Sequence, residues 1–378
     1  MNKIIKILSF LILTFISVSV FSQDATDSDT LISFTPEVKP WGRIKFMMIG
    51  EEDNIGITDA GSRLGMRLNQ KINNKLNIFG EIEIGVNLGG TEGFKLSPDN
   101  SSSTGFLNLA SFSTGNLFNL RKGFLGINLS EYGKISVGKQ YGAYYDVAGK
   151  TDVSENNSGY ASFVFSPVGT DGGFTGTGRI SNSIVYRNKI SDFNIALSAQ
   201  FRLDERQFVN LVNSFSSSVI YNTPYNFNIG IAFNRMFLNP EIVPHIRGLI
   251  GDPVYYALGI NYETEKLYLG FTFTNQTYGD LAVVNDSTIV YSGFGIELAS
   301  QWKPTKKISI ILGANYKQPY NTDISVNKDY KILIFFYGLK YQIFKNASAY
   351  IEGGINNSFD EKGNKLPSNI SLGSTLSF

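Results

Sequence analysis

Cysteine is absent from this 378-residue chain, and histidine occurs once. The first absence excludes a disulfide framework and any thiolate-bound metal. The second leaves little room for imidazole chemistry, because His245 sits beside prolines in the loop sequence NPEIVPHIRG. A Ser/His hydrolase needs its histidine held by a third group beside an activated nucleophile. No serine motif accompanies His245, so no catalytic residue, cofactor or metal site is expected. Charge is scarce too: 17% of residues are Asp, Glu, Lys or Arg, 33 basic against 32 acidic. There is no bulk basic field to draw nucleic acid or anionic lipid. Beyond the N-terminus no apolar run reaches the length of about 18 residues that a transmembrane helix requires.

The N-terminus itself is strongly apolar. MNKIIKILSFLILTFISVSVFSQ carries Lys3 and Lys6, an apolar run over 7–21, and small Ser22 before Gln23. These are the basic, apolar and cleavage regions of a secretory signal peptide, so residues 1–22 are set apart from the fold. Without their two lysines the chain has 31 basic and 32 acidic side chains, a net charge of about −1. An exported protein without disulfides needs a large hydrogen-bonded framework for stability.

What is plentiful is glycine (38), phenylalanine (29) and tyrosine (20), a composition suited to sheet and poor for a disordered chain. From Trp41 onward, runs of about ten residues alternate apolar and polar, the period of strands. In LYLGFTFT, Leu267, Leu269, Phe271 and Phe273 share one face. Tyr268, Gly270, Thr272 and Thr274 share the other, which reads as wet or small and never as a packed core. FNIGIAF and NASAYIEGGI repeat the pattern. Sixteen runs occur, near 40–50, 61–70, 76–87, 119–129, 133–141, 179–188, 193–203, 214–221, 225–238, 252–261, 265–277, 289–302, 306–317, 329–341, 345–356 and 368–378. That is too much repeating sheet for one sandwich, and runs of roughly 9–11 residues can cross a bilayer at a tilt.

Short turns, such as QKINNK and KPTKK, alternate with longer irregular connections such as 87–119. The predicted fold is therefore all-β: a transmembrane antiparallel barrel of sixteen strands in the outer membrane, with lipid against its apolar face. Residues 23–39 read as a short periplasmic lead-in and 40–378 as the barrel. The last strand, SLGSTLSF, ends in Phe378, which resembles the assembly signal that barrel-assembly machinery reads in bacterial outer-membrane barrels.

Charges mark the inner face. Arg43 and Lys45 alternate with Ile44 and Phe46, Arg63 and Arg67 with Leu64, Met66 and Leu68, and Glu81 and Glu83 with Ile82 and Ile84. Arginine at the lipid midplane costs about 2–4 kcal/mol, so on a barrel this face must be the lumen. Arg121 departs from the rule, sharing its parity with Leu125 and Ile127. Either a bulge re-aims it or both faces of its strand are packed. One segment, TDVSENNSGYASFVFSPVGTDGGFTGTGR over 151–179, has neither period, and unstructured loops beyond about 12–15 residues are usually functional or disordered.

Taken in order, WGR, DAGSRLGMR, RKGFLGINLSEYGKISVGKQYGAYYDVAGKTD, GRISNSIVYRN and the terminal Phe resemble the general trimeric porins of Gram-negative outer membranes, most strongly over 41–188. The resemblance implies a sixteen-stranded barrel, usually a homotrimer, whose third long loop, here 142–178, folds back to narrow the lumen. It implies a basic wall ladder of Arg43, Arg63, Arg121 and Arg179, and a constriction acid at Asp152. SENNSGY departs from the family's usual turn, so Glu155, a second acid, stands one position early. The function implied is passive diffusion of ions and small hydrophilic solutes, with a weak lean toward anions. The alternative is a channel selective for phosphate or another anion, or for sugars, which the arginines and the loop aromatics Tyr160, Phe163 and Phe165 would serve. An adhesin platform is a further class, without a separate domain to carry it.

Overall fold

A computed structural model of the chain describes residues 36–51, 54–89, 117–164, 173, 175–201, 212–238, 246–284, 287–320, 329–360 and 363–378. The expected signal segment, most of the lead-in, His245, Phe165 and part of the aperiodic loop lie outside them. Alternating apolar and polar side chains give seventeen strands in one antiparallel sheet that closes on itself. They are β1 (Glu37–Glu51), β2 (Asn54–Asp59), β3 (Ser62–Lys71), β4 (Asn77–Val86), β5 (Phe118–Asn128), β6 (Lys134–Tyr141), β7 (Arg179–Ile190), β8 (Phe193–Gln200), β9 (Ser214–Asn222), β10 (Phe227–Met236), β11 (Val254–Glu263), β12 (Leu267–Val284), β13 (Ser287–Trp302), β14 (Ile308–Pro319), β15 (Ile332–Phe344), β16 (Ala347–Asn356) and β17 (Asn369–Ser377).

β2 and β3 lie end to end along one edge of β1, so the barrel has sixteen staves and one extra strand. The sequence pattern missed β2. The break falls at Asp59-Ala60-Gly61, where the Asp59 carboxylate accepts the backbone N–H groups of Gly61 (2.7 Å) and Ser62 (2.8 Å). Gly61 has φ +93°, a conformation that glycine adopts without steric cost. Closure is made by β1 and β17, registered from Arg43↔Ser377 to Glu51↔Asn369. Gly42 and Phe378 then exchange two backbone hydrogen bonds of 2.9 Å. A closed barrel leaves no unpaired sheet edge, which is what lets strands cross lipid.

At one end every connection is short: 72–76, 129–133, 191–192, 223–226, 264–266, 303–307 and 345–346. At the other end most are long, the arrangement of periplasmic turns and extracellular loops. Outward side chains such as Ile44, Phe46, Met48, Leu269, Phe273, Leu372 and Leu376 are exposed for lipid, while Lys45, Thr272, Thr274 and Glu297 face inward.

The connection after β6 turns into the lumen. It contains the short helix α1 (Tyr145–Ala148) and one 3-10 turn (Gly149–Thr151). A strip of wall glycines receives its backbone. A Cβ at Gly259 would lie 2.6 Å from the Val147 carbonyl oxygen, one at Gly270 would lie 2.8 Å from that of Lys150, and one at Gly295 would collide with that of Ala161. Tyr144, Val147, Ala148, Phe163 and Val164 of the loop pack on Ile220, Ala232, Tyr255 and Ala257 of the wall. Consequently Thr272 and Thr274, on the face expected to be wet, have no solvent exposure, and neither does Asn315 of β14. The loop turns part of the lumenal face into a packed polar interior.

Candidate functional site in the barrel lumen

Strand parity turns Arg43 and Lys45 of β1, Arg63 and Arg67 of β3, and Glu81 and Glu83 of β4 to one wall of the lumen. Arg121 joins them through a bulge. Glu83 pairs with Lys122 and Ile84 with Leu120, so Arg121 is the extra residue and the register shifts there. The inserted residue re-aims its side chain inward, where it is buried, while Leu125 and Ile127 remain exposed on the outer face. Lys122 faces the lumen by ordinary alternation, on the parity opposite Leu125 and Ile127 and in register with Glu83.

These charges form a network rather than a bare row. Glu83 Oε1 pairs with Arg121 Nε at 2.8 Å and with Arg63 Nη1 at 3.2 Å, and its Oε2 with Lys122 Nζ at 2.8 Å. Glu81 Oε1 lies 3.1 Å from Lys122 Nζ and 3.5 Å from Arg67 Nε. The Arg67 guanidinium covers the Trp41 ring at 5.2 Å. Arg43 stands opposite Arg63 in register and donates from Nε to the Gly61 carbonyl. Arg179, the first residue of β7, is buried with its guanidinium 5.9 Å from the Tyr141 ring.

The two loop acids are anchored differently. Asp152 accepts hydrogen bonds from Tyr145 OH (3.2 Å) and Ser158 Oγ (3.1 Å), both within the loop. Glu155 pairs with Lys45 Nζ at 2.6 Å and Lys340 Nζ at 3.5 Å. Glu83, on the wall itself, is the acid that meets Arg63 and Arg121. Burial works to raise the Glu155 pKa, but the charges of Lys45 and Lys340 outweigh it and hold the carboxyl down at about 2. Burial also raises the Tyr145 hydroxyl, helped by Asp152, and lowers Lys150.

Two wall carboxylates finish the attachment. Glu352 on β16 accepts the backbone N–H of Glu155 (3.0 Å) and the hydroxyl of Ser154 (2.8 Å). Glu297 on β13 accepts the backbone N–H of Ala161 (2.6 Å) and the Thr151 hydroxyl. A third link ties Asp146 of α1 to Arg187 of β7 at 2.9 and 3.0 Å. Sequence reasoning missed Lys122, Arg187, Lys340, Glu297 and Glu352. The inward parity of Glu297 and Glu352 is legible, but their partners lie more than a hundred residues away. Among the described residues no group of His, Cys, Asp and Glu could hold a metal ion.

A closed antiparallel barrel with an apolar outer band, a charged lumen and a loop folded inside it is the architecture of outer-membrane channels. Comparison with known proteins narrows this. Residues 48–360 match the profile of the Gram-negative porin family, and the chain belongs to that family, whose place is the bacterial outer membrane. It is 22% identical over 248 residues to the outer membrane porin protein LC of Enterobacteria phage PA-2, a match covering 62% of this chain and 65% of that relative. The chain thus spans just under two thirds of that relative's length. Among solved structures, Salmonella typhi OmpF in complex with daunomycin superimposes with a TM-score of 0.71 at 15% identity, over 90% of this chain and 97% of that one. OmpT of Vibrio cholerae in its trimer form superimposes at 0.62 and 16%, over 91% and 100%.

Proposed function

We propose that the chain forms a water-filled channel for passive diffusion of ions and small hydrophilic solutes, acting as a homotrimer. The carrying observation is the loop tied inside the lumen by Glu297 and Glu352 beside the charged wall of β1 to β5, an arrangement that suits a narrowed passage. A low-dielectric wall with fixed charges of both signs concentrates field across such a passage. Polar solutes are oriented there and apolar ones penalised.

The basic ladder of Arg43, Arg63, Arg121 and Arg179 outnumbers the acids it touches, which supports a weak preference for anions. Planar-bilayer recording in KCl tests the channel: discrete, stable conductance steps are expected, and protein that inserts yet passes no current would sink the proposal. The trimeric form recorded for the similarly folded OmpT supports the assembly. Unheated gel electrophoresis checks it, with a three-chain species expected.

A further inference from the structure

At the short-turn end of the lumen, beneath α1, lies a cavity of about 420 Å³ with charged side chains in its lining. Its basic lining is Lys134 at the start of β6 with Arg187 and Lys189 near the end of β7, and Asn128 and Asn194 supply amide groups. The turns 129–133 and 191–192 bring these together. Asp146 of α1 is the one acid in the lining, and it is engaged with Arg187 by two contacts of 2.9 and 3.0 Å. Neither Lys134 nor Lys189 has a carboxylate partner among the described residues. Lys134 is held 6.0 Å from the Phe79 ring, a contact that uses none of its N–H groups in hydrogen bonds.

We propose that this vestibule is a binding subsite for small phosphate-bearing solutes, and that the bound anion competes with Asp146 for Arg187. The proposal rests on the barrel being an open channel. Two ammonium groups and a guanidinium around one cavity suit a tetrahedral dianion, since each oxygen can take a charge-assisted bond and the fork of Arg187 can take two. The side-chain amides can orient hydroxyl or ester oxygens. Asp146 occupies the guanidinium when the cavity is empty, so a bound phosphate loosens the link between α1 and β7. A solute thereby bears on the element that narrows the lumen.

The test uses the full chain in planar bilayers, with inorganic phosphate titrated at constant ionic strength and glucose as the neutral control. Saturable reduction of current by phosphate and not by glucose is expected. K134Q/K189Q should keep its KCl steps and raise the half-block concentration about tenfold, the loss of charge-assisted contacts. D146N frees Arg187 and should lower the half-block concentration, a result that does not depend on how the lysine variant folds. KCl steps with no phosphate effect, or the same effect in K134Q/K189Q as in the wild type, overturn the subsite while the channel stands. An unchanged half-block in D146N overturns the competition. Absence of KCl steps in the wild type overturns the channel and the subsite together.

Discussion

Glu155 shows how one residue can join two walls through a loop. Its carboxylate, held at about 2, pairs with Lys45 and Lys340. A folded pKa below the unfolded value gives stability that is fully present above the unfolded pKa and is lost as pH falls through the folded one. This anchor should therefore persist from neutral pH down to about pH 3 and release toward pH 2. Single-channel conductance followed over that range checks it, and a change near pH 5 would show that another group governs. Glu155→Gln should release the anchor at neutral pH and leave Lys45 buried without its partner, at a cost of about 2–4 kcal/mol in a partly open site. The wall charges make a separate prediction. Arg63→Ala with Arg121→Ala removes two cations from Glu83, and the reversal potential in a salt gradient should move toward cation selectivity. An unmoved potential would mean that this wall does not set selectivity.

At the scale of elements, the loop is positioned by backbone contact with wall glycines as much as by charge. Gly259→Val puts a branched side chain where the Val147 carbonyl lies. The outer face is unchanged, so the barrel should still form and its gel mobility should still change on heating. The loop should dock poorly, giving broader conductance steps and a larger solute cut-off in liposome swelling. A cut-off identical to the wild type would show that the loop does not narrow the passage. On the long-loop side, Lys317 of β14 and Asp280 of β12 pair at 2.8 Å with their side chains 2% and 3% exposed, and Tyr330 bonds to both. Asp280→Asn takes the carboxylate away from a buried ammonium, and about 3–5 kcal/mol of destabilisation is expected. The temperature of the gel shift reads this out.

Over the whole molecule, polar and apolar surfaces are inverted relative to a soluble protein. Apolar side chains form the outer band, and buried polar groups, with an apolar cluster beneath the loop, hold the inside together. Hydrogen bonds from Thr151, Ser154, Ala161 and Glu155 to the wall place a loop where only a closed barrel has an interior to receive it. Stability and constriction thus share residues. Variants that loosen the loop should lower the gel-shift temperature and alter conductance together.

Much of this was legible in the chain. Alternation marked sixteen runs, and the charges within it marked the inner face, because a strand must put successive side chains on opposite sides and lipid rejects charge. Arg121 broke that rule openly, and a bulge was one of the two ways to reconcile it. The extra strand β2 was not legible, since the turn at Asp59 interrupts the period. Nor were the partners of Glu155: Lys45 lies 110 residues before it and Lys340 lies 185 after it. The sequence by itself determined the period of the sheet, its inner and outer faces and the presence of an aperiodic segment, all local consequences of side-chain order. Only the tertiary structure decided which wall that segment lies against and which charges meet, because closing the barrel brings distant strands within reach of one loop.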